Sequence, residues 1–198
     1  SPTQGLLTLT LQVQFDPSFT GNKVIYLAAR DQKVGNSGWK ALGVYRVGAV
    51  ESSPRVDSIS QERVGSRCAF QIRYSGLRSG EDYRAAQLLL NSSLDGLRAC
   101  YVGFDIQNSV VYLVNNSGTA LQEGILPSGD RSSGNSQCRL YGPGTYFERD
   151  GDALIVNLRF TFGGNFGGPK IGYAGVHAVR GRNSGWPALH AFGNPLWP

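Results

Sequence analysis

The feature that most constrains this chain is an internal repeat. Leu7 to Val47 aligns without a gap on Leu154 to Asn194, at a constant offset of 147 residues. Leu7, Leu11, Phe15, Phe19, Gly21, Lys23 and Tyr26 return as Leu154, Leu158, Phe162, Phe166, Gly168, Lys170 and Tyr173. Asn36-Ser37-Gly38-Trp39 returns as Asn183-Ser184-Gly185-Trp186, and Ala41-Leu42 as Ala188-Leu189. One register kept over that length means one supersecondary unit present twice, so the fold has to accommodate it twice.

Each copy reads as three strands. Leu7, Leu9, Leu11, Val13 and Phe15 alternate with Thr8, Thr10, Gln12 and Gln14, the period of two that turns one face of a strand to a core. Leu154 to Phe162 is its counterpart. Asp16-Pro17 or Gly163-Gly164 then leads into Lys23 to Arg30 or Lys170 to Ala178. The Asn-Ser-Gly turn, whose Asn and Gly tolerate positive φ, leads into Ala41 to Val47 or Ala188 to Gly193. Asn36, Trp39, Asn183 and Trp186 mark that turn, and the two tryptophans are expected to be equivalent corner-packing residues.

Further strands are expected at Val56 to Ser60, Arg67 to Tyr74, Ala86 to Asn91, Ala99 to Ile106, Val110 to Val114 and Gln137 to Tyr141. So many short runs, broken by Gly, Asn, Ser and Pro, predict an all-β sandwich of mostly antiparallel strands. Apolar residues at 40% and charged residues at 17% of 198 give the chain enough to bury a core. No run approaches the ~20 apolar residues of a membrane-spanning helix, and Ser1 to Gly5 has no signal-peptide character. Alternation places Cys68, Cys100 and Cys138 all inward. Without CxxC spacing, one disulfide and one free thiol is the simplest arithmetic.

The net charge of +5 and pI near 9.3 admit acidic partners. The densest groupings, Arg63, Arg67, Arg73 and Arg78, then Arg180 and Arg182, form no compact basic run. Specific nucleic-acid binding is therefore not expected.

Asn91-Ser92-Ser93-Leu94, Ala99-Cys100-Tyr101, Tyr112-Leu113-Val114-Asn115-Asn116-Ser117-Gly118-Thr119-Ala120 and Asn135-Ser136-Gln137-Cys138 together resemble an Ig-like repeat module of very large secreted bacterial surface proteins. Phe15-Asp16-Pro17-Ser18-Phe19-Thr20-Gly21 and Asn36-Ser37-Gly38-Trp39 look like the closing strands of that module. The resemblance implies an Ig-like antiparallel β-sandwich over residues 50–198, preceded at 1–49 by a partial repeat of the last three strands. It also implies a Cys100–Cys138 disulfide, a free Cys68 and an extracellular or cell-surface location. Cys68, the Gly163-Gly164-Asn165 turn and His190 in place of Gly43 depart from the module pattern.

Catalysis needs a constellation, and none assembles. His177 and His190 align with Arg30 and Gly43, so the repeat keeps neither. HExxH and GxSxG are absent. Gly163 to Lys170 is no phosphate loop, because Pro169 precedes Lys170 and strand signals follow. The carboxylates Asp31, Asp150 and Asp152 lie in turns without a nameable calcium ligand set.

The expectation is a non-enzymatic structural or adhesive module without catalytic, cofactor or metal residues, a subunit of a surface array or fibre. Its partners are then copies of itself or neighbouring repeats. The three amphipathic strands at 7–47 are expected to be completed by a neighbour through strand complementation, in preference to packing on the chain's own remainder. A lectin-like module binding surface polysaccharide is the alternative, with Trp197, which lies beyond the repeat, as its exposed contact. A secreted hydrolase is a distant third.

Overall fold

The computed structural model describes residues 8–48 and 53–193. Trp197 and the expected domain boundary at residues 49 and 50 lie outside the described residues. The strands are β1 (Gly21–Leu27), β2 (Lys40–Val47), β3 (Arg55–Val64), β4 (Arg67–Ser75), β5 (Tyr83–Asn91), β6 (Cys100–Asp105), β7 (Val110–Leu113), β8 (Ser132–Gly134), β9 (Cys138–Asp150), β10 (Ala153–Phe162), β11 (Lys170–Ala178) and β12 (Ala188–Phe192). Two five-stranded antiparallel sheets, ordered β3-β4-β10-β9-β8 and β12-β11-β5-β6-β7, pack face to face, and β1 and β2 form a separate hairpin. The fold is an all-β sandwich.

Alternation builds the core between the sheets. From the first sheet, β4 sends Cys68, Phe70, Ile72 and Tyr74 inward, and β10 sends Leu154, Val156, Leu158 and Phe160. They meet Leu88 and Leu90 of β5, Cys100, Val102 and Phe104 of β6, and Ala174 and Val176 of β11. Phe70 sits edge-on to Phe160, Phe162 and Phe192, with ring centroids 5.8, 6.0 and 5.1 Å away. Each such ring contributes about 1.5–3 kcal/mol by leaving water. A disulfide between Cys100 and Cys138 ties β6 to β9, one strand from each sheet.

Cys68 is buried and unbridged. Burial pushes its thiol pKa up, opposed by a hydrogen bond from the Gln61 amide at 3.7 Å and by the Arg63 charge.

The structure departs from the sequence reading at β8, where no strand was expected, at β9 and in the segment before β1. β9 runs on to Asp150 instead of stopping at Tyr141. Its pairing with β10 slips between Asn157 and Arg159, so Gly142-Pro143-Gly144 is absorbed as a bulge, not a stop. Buried Asn157 donates to Gly144 O at 2.7 Å, and the Thr145 hydroxyl donates to Tyr141 O at 2.6 Å, which satisfies backbone that the bulge leaves unpaired. Of the strand expected at Leu7 to Phe15, the described residues 8–15 form none. Residues 8–16 have no ladder partner, although their counterpart β10 is hydrogen-bonded on both sides by β4 and β9. The same pattern makes a strand only where partners are supplied.

Cys100→Ser or Cys138→Ser is expected to lower stability by about 2–5 kcal/mol in urea unfolding. Cys68 should resist a thiol reagent in the folded chain and react once it is unfolded; rapid labelling of the native protein would contradict its burial.

Candidate interaction surface

The hairpin β1–β2 has the register of β11–β12 over the four pairs that the latter forms. Lys23 pairs with Tyr45, Val24 with Val44 and Ile25 with Gly43, and the register slips before Tyr26 meets Ala41. Lys170, Ile171, Gly172 and Tyr173 pair with Phe192, Ala191, His190 and Ala188 with the slip at the same place. In the connecting turns Asn36 Oδ1 accepts the Gly38 N–H at 2.9 Å, and Asn183 Oδ1 accepts the Gly185 N–H at 3.0 Å. The hydroxyls of Ser37 and Ser184 accept the N–H groups of Ala29 and Val176 at 2.8 and 2.9 Å. Gly38 and Gly185 sit at φ 64° and 66°, a left-handed conformation that explains why both copies carry glycine there. Lys23 and Lys170 lie over the rings of Phe19 and Phe166, 3.9 and 4.7 Å from the centroids.

What differs is what covers the two copies. Val156 and Leu158 of β10 are each 2% exposed, whereas their counterparts Leu9 and Leu11 are 70% and 67% exposed. Phe160, Phe166, Ala174 and Phe192 are buried, whereas Val13, Phe19, Leu27 and Tyr45 are exposed. Every one of the buried four belongs to the core between the two sheets. The N-terminal segment therefore presents to solvent the face that its counterpart turns into a sandwich.

The opposite face of the hairpin is covered. Val24, Ala41 and Val44 cluster with Leu89, Ile171, Tyr173, Ala188 and Ala191 on the outer face of the second sheet. Asn22 donates through Nδ2 to Ala188 O at 2.5 Å, and the Tyr26 hydroxyl donates to Ser92 O at 3.2 Å. Burial and then the neighbouring Tyr26 push the Tyr173 phenol well above its ordinary pKa. Two of the three expected strands thus dock on the chain's own remainder, on a face that the sequence reading did not see as vacant.

The tryptophans correct an expectation. Asn36 and Asn183 cap equivalent turns, but Trp39 is 74% exposed while Trp186 is half-buried, edge-on to Tyr101 at 5.7 Å. Tyr101 belongs to β6, which has no counterpart beside the hairpin among the described residues, so Trp39 lacks the ring that Trp186 packs on.

Among the described residues no three His, Cys, Asp or Glu side chains come together. Asp31 spends one carboxylate oxygen on the N–H groups of Lys33, Val34 and Gly35, which lowers its pKa and makes it a loop cap. His190 leans on Phe192 with centroids 4.7 Å apart, and the His177 backbone bridges Asn183. A groove of about 550 Å³ crosses the outer face of β5, β6 and β7, lined by Arg84, Gln87, Asp105, Asn108 and Tyr112 among others. Gln87 donates to the Tyr101 hydroxyl at 3.3 Å, and its Oε1 is buried without a hydrogen-bond partner among the described residues. Among those residues no helix is long and apolar enough to cross a membrane.

No protein-family model, no curated protein and no solved structure matches the chain.

Trp186→Ala is expected to cost about 1–3 kcal/mol and Trp39→Ala less than about 0.5 kcal/mol in denaturant unfolding. Equal losses would mean that Trp39 is packed after all.

Proposed function

We propose that the chain is a non-enzymatic, extracellular structural or adhesive module that acts as a subunit of a surface array or fibre. The observation that carries this reading is the contrast within the repeat. One copy buries its apolar residues in a sandwich, and the other holds the same positions in water. A soluble chain rarely keeps a contiguous apolar face of that kind unless another protein covers it. The Cys100–Cys138 disulfide favours an oxidising compartment. The resemblance to repeat modules of large secreted bacterial proteins points the same way.

The groove over β5, β6 and β7 supports a second reading, a lectin-like module. A planar amide, an arginine, carboxylate and amide groups and a tyrosine ring are the chemistry that grips sugar hydroxyls and stacks on a pyranose.

Antibodies against the chain are expected to label intact, unpermeabilised cells and the material extending from them, with a glycan array left blank. Saturable glycan binding that Tyr112→Ala abolishes would replace the structural reading with the lectin.

A further inference from the structure

We infer that the free face of residues 8–47 is completed by a segment of the kind formed here by residues 53–150, supplied by another repeat that lacks closing strands of its own. The inference rests on the proposed structural role and names its partner. The internal repeat is the template, because it shows what the same residues pack on when they are covered.

In the covered copy, Val156 pairs with Ile72, Leu158 with Phe70 and Phe160 with Cys68 on one side. On the other, Val156 pairs with Phe147 and Phe160 with Leu140. Carried back by 147 residues, Leu9 lies opposite the partner's position 72, Leu11 opposite position 70 and Val13 opposite position 68. The unpaired backbone of residues 8–15 then gains a ladder on both sides, and Leu9, Leu11, Val13, Phe19 and Leu27 enter a core.

A second intact copy of this chain does not fit. Its slot between β4 and β9 is already filled by its own β10. Exchange would release one apolar face for each it covered. The partner therefore offers an open slot.

One position sets which partner fits. A side chain at Gly172 would bring its Cβ within 2.9 Å of two side-chain ends, Ile59 Cδ1 and Phe192 Cε2, so these have to shift to admit it. The free copy carries Ile25 at the equivalent position. A partner with isoleucine at position 59 is crowded by Ile25 and has to turn that side chain aside, and overpacking of this sort is destabilising. A partner segment with a small residue at position 59 accepts Ile25 without that adjustment and is the better fit.

The full chain is co-expressed with a tagged segment of residues 53–150 of the same sequence carrying Ile59→Ala. The expected result is a stable complex in which the backbone amides of residues 9–15 become protected from hydrogen exchange. Leu9→Asp with Leu11→Asp in the full chain should weaken it by at least about tenfold, while leaving the chain's own unfolding midpoint unchanged, because both side chains are exposed. The segment with Ile59 retained should bind about tenfold more weakly. Recovery of the segment without the chain, in soluble or insoluble form, overturns the inference. A complex indifferent to Leu9→Asp and Leu11→Asp also overturns it, since the segment has then displaced β10. Equal binding by the Ile59 segment overturns the assignment of position 59. Cell-surface labelling is independent of these outcomes, so a failed complementation beside positive labelling removes this partner and leaves the structural role standing.

Discussion

The two-sided pairing of β10 between β4 and β9 is the constraint from which the rest of the structure follows. A strand in the middle of a sheet satisfies its backbone on both edges and turns one row of side chains to the core, and Leu154, Val156, Leu158 and Phe160 do both. Leu7 to Phe15 has the alternation and β-propensity for the same role. Its described residues remain outside any ladder, because propensity and pattern describe fitness for a pleated, half-buried surface and do not create one. The two copies act as an internal control: the pattern is held fixed and the partners are changed.

The same contrast explains what the sequence disclosed. Strands with a partner close in sequence or a strict alternation, such as Arg67 to Tyr74 against Leu154 to Phe162, were legible almost to the residue. The turn Asn36-Ser37-Gly38 was legible because its chemistry is local. Two things were not. Gly142-Pro143-Gly144 looks like a stop, and only Asn157 and Thr145, whose side chains cap the freed backbone, turn it into a bulge within a long β9. The docking face for the hairpin was also missed, although Leu88-Leu89-Leu90 carried the signal. A strand apolar on both faces is one that is covered on both. The candidate surface was half legible: the repeat identified the segment, but exposure at Trp39 against burial at Trp186 depends on whether Tyr101 has a counterpart.

The way the hairpin docks limits how modules of this kind can associate. Val24, Ala41 and Val44 meet Ile171, Ala188 and Ala191, which are the same three positions of the repeat, and Tyr26 approaches Tyr173 in the same relation. The contact joins one patch to its own equivalent. Such self-complementary contacts close on themselves, whereas contacts between unlike patches can continue without limit. The back-to-back contact therefore unites two units and then is spent. On the other side of the hairpin Phe15, Phe19, Ile25, Leu27 and Tyr45 are exposed, with Phe15 stacked on Phe19 and Tyr45; if such modules extend beyond a pair, as proposed, that is the side left for it. The two faces give the hairpin a direction: the covered face fixes its orientation on the sandwich behind it, and the exposed face is the one through which the proposed contact with a neighbour would run.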